Sequence, residues 1–477
     1  MEPTDDKFPR SRSHSSFQSP SQAGDDTAPS SSNPPAVAKP TLPWFTESYL
    51  SNEPETAAAR KTYILFLASR VVVIIIFLLS VLSIYWGALW QTPRHVHNLN
   101  GWVVDFDGSQ VGQFVSRAVI ASSGEPTAIT WNVVSADLFP NGPRDLESAV
   151  IQERAWAIIA ISQNATETLR TAVVAADDTY VANRTISAYV AEARSENAYR
   201  VIVHPDIVTL LDGIAEAFNA QYIPQIPALS PNLTALLVNA PTLVSQPISY
   251  KVINTRPFDV PVATAVDFVG LIFLLILAFV VTMAHYAARV DATHLEDRLT
   301  FKWLIIIRVI NPVIMYFFVS CFYSLLSLAF QVPFSRFFGS SGFVIYWMLS
   351  WLSMCALGGA VESVITILTP RLIAFFLLIW IIANVSVCVF PPVLLPGVYR
   401  YGYAMPFYNI QQAIRTIVFG TRNKVGLNFG VLIVWIFVSW CTLTLFQYVK
   451  RRQAIRAHEA ATAAADAPES SLDKRAP

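Results

Sequence analysis

Apolar residues in this chain gather into long unbroken blocks, and the polar text between them follows a different rhythm. "VVVIIIFLLSVLSIYWGALW" (Val71 to Trp90) contains no charged residue. Blocks of about 18 or more such residues are long enough to cross a bilayer as a helix. Six are expected, over 64–90, 264–287, 303–330, 342–368, 372–392 and 428–449. "CVFPPVLLPG" (Cys388 to Gly397) closes the fifth, because successive prolines cannot continue a helix. Between the first two blocks the periods shorten. "GWVVDFD" (Gly101 to Asp107), "AWAIIAIS" (Ala155 to Ser162) and "YRVIVH" (Tyr199 to His204) are expected as strands. Val111, Phe114, Val115, Ala118 and Val119 mark one helical face, and Ile207, Leu210, Leu211, Ile214 and Phe218 another. Strands alternating with such helices predict a small α/β domain.

A third pattern sits between the last two blocks. Phe407, Ile410, Ala413, Ile414, Ile417 and Val418 recur at helical spacing, with Asn409, Gln412, Arg415 and Thr416 on the other side. Pro406 suits a helix start and Gly420 a stop, so an amphipathic helix of about 13 residues is expected, half a span long. Tyr399, Tyr401, Tyr403 and Tyr408 crowd its beginning, as at a head-group interface. Two placements stay open: a helix lying on the outer leaflet, or a re-entrant hairpin capping a cavity between spans.

Composition sharpens the class. The chain is 53% hydrophobic and only 14% charged, against about 25% charged in ordinary soluble proteins. The expected fold class is an α-helical membrane protein with six transmembrane helices (1 + 5) and a large extracytoplasmic α/β domain between helices 1 and 2. Formal net charge is zero, so nucleic acid is not an expected partner; membrane lipid is. The expected divisions are a disordered cytosolic N-tail at 1–59, transmembrane helix 1 at 60–91 and the domain at 92–261. A five-helix region follows at 262–450, holding the short helix within 400–420, and then a cytosolic C-tail at 451–477. The first block begins too late and runs too long for the pattern of a cleaved signal peptide, and is expected to serve as a signal anchor.

Short-range Lys/Arg bias sets the orientation. Arg60, Lys61, Arg70, Arg289, Arg298, Lys302, Arg371 and "KRRQAIR" (Lys450 to Arg456) share one face in a six-span chain, which is expected to be cytosolic. Three N-x-S/T sequons, at Asn164, Asn183 and Asn232, fall in the insert, on the opposite face, as N-glycosylation candidates. The sequon at Asn384 lies inside a span, where glycosylation is not expected. Arg400, Arg415, Arg422 and Lys424 run against the bias, because six spans place them outside.

Recognisable catalytic chemistry is missing from the sequence. There is no phosphate-binding GxxxxGK[ST] loop, no G-x-S-x-G and no H-E-x-x-H. The chain is expected to be no enzyme, with no catalytic residues, cofactor or metal site. His95 and His97 lack companions for a metal, and Cys321, Cys355, Cys388 and Cys441 read as small hydrophobes within apolar blocks. Ionisable residues inside spans are costly and often functional. Asp267 stands close enough to the outer interface to be solvated. Arg308 and Glu362 each lie about six residues, on the order of 9 Å, from the cytosolic end of their helices. Two readings remain for them, a structural staple between spans or a polar translocation path.

"YGYAMPFYNIQQAIRTIVFGTRNKVGLNFGVLIVW" (Tyr401 to Trp435) resembles the C-terminal signature of the fungal nitrosoguanidine-resistance membrane proteins. The order of elements over about residues 60–450 is similar too. "WVVDFDGSQVGQFV" (Trp102 to Val115) more distantly resembles the "VVxxDxG" opening of type-2 ABC exporter permeases. "AWAIIAISQNATETL" (Ala155 to Leu169) is similar to the strand that follows there, with Ser162 and Gln163 where a proline is usual. By that resemblance Asp105 and Gly108 are turn-forming positions, the fold is exporter-permease-like, and a homodimer and a separate ATPase or transporter are the partners implied. The nitrosoguanidine resemblance implies a plasma-membrane protein, with endomembrane or vacuole as other sites, that confers resistance by exporting drugs or controlling the translocation of amphipathic drugs or lipids. In that reading Tyr403, Pro406, Phe407, Asn409 and Arg415 form an outer gate, and Arg308 and Glu362 set polarity at the inner entrance. The competing expectation is a non-transporting regulator or scaffold that modulates other transporters or lipid asymmetry.

Overall fold

The computed structural model describes residues 48–465. The expected N-tail up to residue 47 and the end of the C-tail lie outside the described residues. The chain divides into two units, one ending at Val71 and one beginning at Val72. In the first, Arg60 Nη1 donates to the carbonyls of Tyr49 and Ser51, at 2.8 and 3.2 Å, beside an edge-on Tyr49–Tyr63 pair. Helix α1, Pro54–Leu89, runs through the division.

In the second unit, five strands follow: β1 Asn100–Asp105, β2 Thr130–Val134, β3 Ala157–Ile161, β4 Ile186–Val190 and β5 Tyr250–Asn254. Their order is β2-β1-β3-β4-β5, parallel throughout except at the antiparallel β3–β4 pair. The two-residue period divides the core. Val103, Ile159, Ile161, Ile186 and Ala188 pack with α2 (Gln110–Ala121), α4 (Ala165–Ala175) and α5 (His204–Tyr222). Val104, Ile158, Ala160 and Tyr189 pack on the other face with α3 (Pro143–Ile151).

The segment "YRVIVH" is helical rather than extended, forming a π-turn that leads into α5. Val203 packs in the same core as Ile207 and Leu211, an i, i+4, i+8 stripe, while Val201 stays exposed. After β1, Asp105 Oδ1 accepts the amides of Asp107 and Gly108, closing a turn. Asp107 then accepts the amides of Gly112 in α2 and Thr166 in α4, at 3.1 and 2.9 Å. That carboxylate satisfies orphan donors in the first turns of both helices.

Beyond β5 come α6 Val269–Ala287, α7 Phe301–Ala329, α8 Gly342–Val364, α9 Ile373–Val385, α10 Pro406–Phe419 and α11 Val425–Ala465. Among the described residues five helices are long and apolar enough to cross a membrane, those containing α1, α6, α7, α8 and α11. Helix α8 is central, packed against α6, α7, α10 and α11. Small residues permit this close approach; a Cβ on Gly358 would lie 2.2 Å from Tyr316 Oη.

The expected fifth span is not a full-length helix. α9 has 13 residues, about 20 Å of helix against a hydrocarbon core of about 30 Å. Turns take over after Val385, and Pro391 and Pro392 open a short 3₁₀ segment. The chain nevertheless returns to the domain, because Asn197 Nδ2 donates to Val389 O at 3.1 Å.

Candidate functional site

The buried charged residues of the helical region gather at two places, one beneath the α/β domain and one at the opposite end. The first is built on the stretch between α9 and α11. Its proline-rich part touches the domain directly: Leu394 is fully buried in the domain's core cluster, and Asn98 Nδ2 donates to Val393 O at 3.2 Å. The chain then turns back to α9, where Asn384 Oδ1 accepts the Phe407 amide at 3.2 Å. That bond satisfies one of the orphan donors in the first turn of α10. Asn384, wholly buried, is therefore a helix cap. Asn409 Nδ2 adds bonds to the carbonyls of Tyr403 and Met405, at 3.0 and 2.9 Å.

Helix α10 is buried on both faces. Phe407, Ile410, Ala413, Ile414, Ile417 and Val418 are buried as their spacing suggests, and so are Asn409, Gln411, Arg415 and Thr416. Pro406 is buried, whereas Tyr403 is half exposed. Gly420 ends the helix with φ 71°, the left-handed conformation that glycine adopts without a Cβ penalty. Its carbonyl accepts Arg256 Nε from the domain side at 2.9 Å.

Arg415 is the centre of this seat. Its Nε donates to Asp267 Oδ2 at 3.1 Å, and its Nη1 donates to Arg194 O of the domain at 2.9 Å. Asp267 is 2% exposed, so it is not solvated at an interface as its sequence position suggests. Arg194 stacks over the Trp156 ring, 3.6 Å from its centroid, and donates to Ala155 O. Burial pushes the Arg194 pKa down to about 10, which leaves it protonated at neutral pH.

Two more of the cations that ran against the charge bias, Arg422 and Lys424, also meet the domain. Lys424 Nζ and Arg422 Nη1 face Glu153 Oε2, the latter at 4.0 Å. Arg336, after α7, forms a forked pair with Asp259, holding that carboxyl below its ordinary range by hydrogen bonding. The domain and the 386–424 stretch therefore share one end of the bundle.

At the other end Arg308 and Glu362 meet. Arg308 Nε donates to Glu362 Oε1 at 2.7 Å and Nη2 to Glu362 O at 2.9 Å. The remaining donors reach Thr366 Oγ1 at 2.8 Å and Gln447 Oε1 at 2.7 Å. Arg289 Nη1 shares Glu362 Oε1 at 3.1 Å, and its Nε reaches Glu296 Oε2 at 3.2 Å. The pair thus belongs to a network that ties α6, α7, α8 and α11 together. Arg308, Glu362 and Arg289 are each 2% exposed. His285 Nδ1 stands 3.9 Å from Glu362 Oε2, too far for a hydrogen bond. The cavity beside the pair, bounded also by Tyr316, Cys355 and Gly359, is about 10 Å³. That is room for about one water molecule.

Asp267's partner and the companions of Arg308 escaped the sequence reading. The available signal was helical spacing: Arg289 follows His285 by four residues, and Thr366 follows Glu362 by four. Asn164, Asn183 and Asn232 are all exposed on the domain. Among the described residues no group of three or more His, Cys, Asp or Glu side chains is placed to hold a metal.

An uncharacterised endoplasmic reticulum membrane protein of Saccharomyces cerevisiae is 28% identical over 461 residues, covering 88% of this chain and 86% of that protein. No solved structure matches. A family of proteins of unknown function, DUF3533, matches residues 70–441. This multi-pass membrane protein, with its domain seated on the stretch between α9 and α11, belongs to the DUF3533 family.

Proposed function

We propose that the protein is a scaffold of the endoplasmic reticulum membrane: a lumenal α/β domain held on a closed helix bundle, presented to a partner membrane protein. The observation that carries this reading is the seat itself. Arg415 joins the domain, through Arg194 O, to Asp267 just before α6, in a site shut off from solvent. A domain tied this way moves with the bundle. The location follows the printed name of the yeast relative. The orientation follows Lys/Arg bias, since Arg298, Lys302, Arg371 and Lys450 to Arg456 belong to the end opposite the domain. The α9–α10 stretch serves as a short crossing followed by a re-entrant helix, which keeps both termini cytosolic. Irregular backbone at membrane depth is tolerated where protein buries it.

The transport reading, export or controlled translocation of amphipathic drugs or lipids, keeps one observation in its favour: a buried ionic network among apolar helices. It requires that network to part, because the cavity beside it takes about one water. The test is reconstitution of the full chain in liposomes holding fluorescent phospholipids or a drug-like dye. Leaflet exchange and efflux at the rate of protein-free liposomes, with or without a proton gradient or ATP, are expected. Movement well above that rate, lost in an Arg308→Met, Glu362→Leu double variant, would replace the scaffold with a translocator.

A further inference from the structure

A cleft on the domain has a volume of about 830 Å³ and lies between the start of α4 and the segment 177–185. That is within the range of roughly 300–1,000 Å³ typical of ligand sites. One of its lining residues is Asn164, the acceptor of a sequon, and a second sequon residue, Asn183, stands at the opposite rim beside the lining residues Val181 and Arg184. We propose that this cleft seats the chain's own N-linked glycan, carried on Asn164.

Three observations converge on that occupant. Asn164 is exposed and adopts φ 57°, and its side chain makes no capping bond to α4, so the amide is free to carry a sugar. The sequon backbone is fixed: Thr166 Oγ1 donates to Asp107 Oδ2 at 2.6 Å and accepts the Val111 amide at 2.9 Å. The glycan's root is therefore held at one position instead of swinging on a loop. The walls also suit a neutral, hydroxyl-rich chain. Gln163, Glu167, Thr171 and Asp177 offer donors and acceptors, Arg184 supplies a cation, and Tyr180 presents a ring. Two carboxylates against one guanidinium disfavour an anionic ligand, and the mixture of polar side chains with Ala165, Ala172 and Val181 suits a sugar, which has both hydroxyls and apolar ring faces.

The anchoring bond is made by group transfer in the lumen. Asn164 Nδ2 bonds to the anomeric carbon of a lipid-pyrophosphate-linked oligosaccharide, the bond from that carbon to the pyrophosphate oxygen breaks, and an amide proton is released. Because the Thr166 hydroxyl is taken up by Asp107 and the Val111 amide in the folded domain, the transfer precedes folding and the cleft then closes over the sugar. The inference rests on the lumenal orientation proposed above.

The experiment uses the full chain purified from a eukaryotic membrane. Occupancy of each sequon is mapped by mass spectrometry, and peptide-N-glycosidase cleavage is timed on folded and denatured protein. Asn164 is expected to be occupied, with its glycan released at least tenfold more slowly from folded than from denatured protein. Thr171→Trp, an exposed position on the cleft wall, is expected to leave occupancy unchanged and make release fast. An unoccupied Asn164 with Asn183 or Asn232 occupied overturns the seat and leaves the orientation standing. So does an Asn164 glycan released equally fast from folded and denatured protein. Three empty sequons overturn the orientation, and the seat with it.

Discussion

Glu362→Ala is expected to lose most of the folded protein from the membrane. The substitution leaves two guanidiniums, Arg308 and Arg289, buried without their shared carboxylate. Removing one partner of a buried ion pair costs about 3–5 kcal/mol, because the remaining charge keeps its desolvation penalty. That approaches the whole stability of many domains, about 5–15 kcal/mol. Arg308→Met combined with Glu362→Leu is expected to recover part of the loss, since an apolar pair carries no stranded charge at that point. Arg289 then keeps Glu296 as its partner. Membrane yield and the thermal midpoint in detergent measure both effects. A single variant as abundant and heat-stable as the parent would show that the network is not a staple.

Arg415→Glu is expected to be the other severe change. It places a second carboxylate against Asp267, where both are shut off from water, and removes the donor to Arg194 O. Like charges at that separation repel strongly in a low-dielectric site, and the expected loss is again about 3–5 kcal/mol. Exchanging the two charges, Asp267→Arg with Arg415→Glu, is expected to restore part of the yield. Arg415→Lys keeps the charge but not the forked donors, and is expected to fall between parent and Arg415→Glu. Wild-type yield for Arg415→Glu would fit a solvent-facing gate residue and contradict the seat.

Five of the six long apolar blocks, the strands containing Val103 and Ile159, and the helix from Pro406 to Phe419 were legible because each repeats a strong local pattern. β2, β4 and β5 were not: "TWNVV", "ISAYV" and "YKVIN" are five-residue strands that mix apolar with polar or small residues. Their place in the sheet depends on neighbours far along the chain. "YRVIVH" misled in the opposite sense, since β-branched and aromatic residues suggest extension while its burial follows helical spacing with Ile207 and Leu211. The placement of α10 was hidden for a related reason. Asn409, Arg415 and Thr416 resemble a wetted face until Asp267 and the Arg194 carbonyl, 148 and 221 residues away, are brought to it. Arg308 and Glu362 could be put at one depth by counting turns, but Gln447 and Arg289 come from other helices and share no local pattern with them.

The central claim is that domain and bundle form one unit through the seat around Arg415. Its most direct test is a spin-label distance in lipid nanodiscs, between Val201→Cys on the domain and Phe330→Cys at the end of α7. Both positions are well exposed, at 65% and 63%, and the four native cysteines would be replaced first. A single narrow distance distribution is expected, broadening when Arg415→Ala is added. Two populations or a broad spread with Arg415 intact would show a domain that moves on its bundle, contradicting the scaffold.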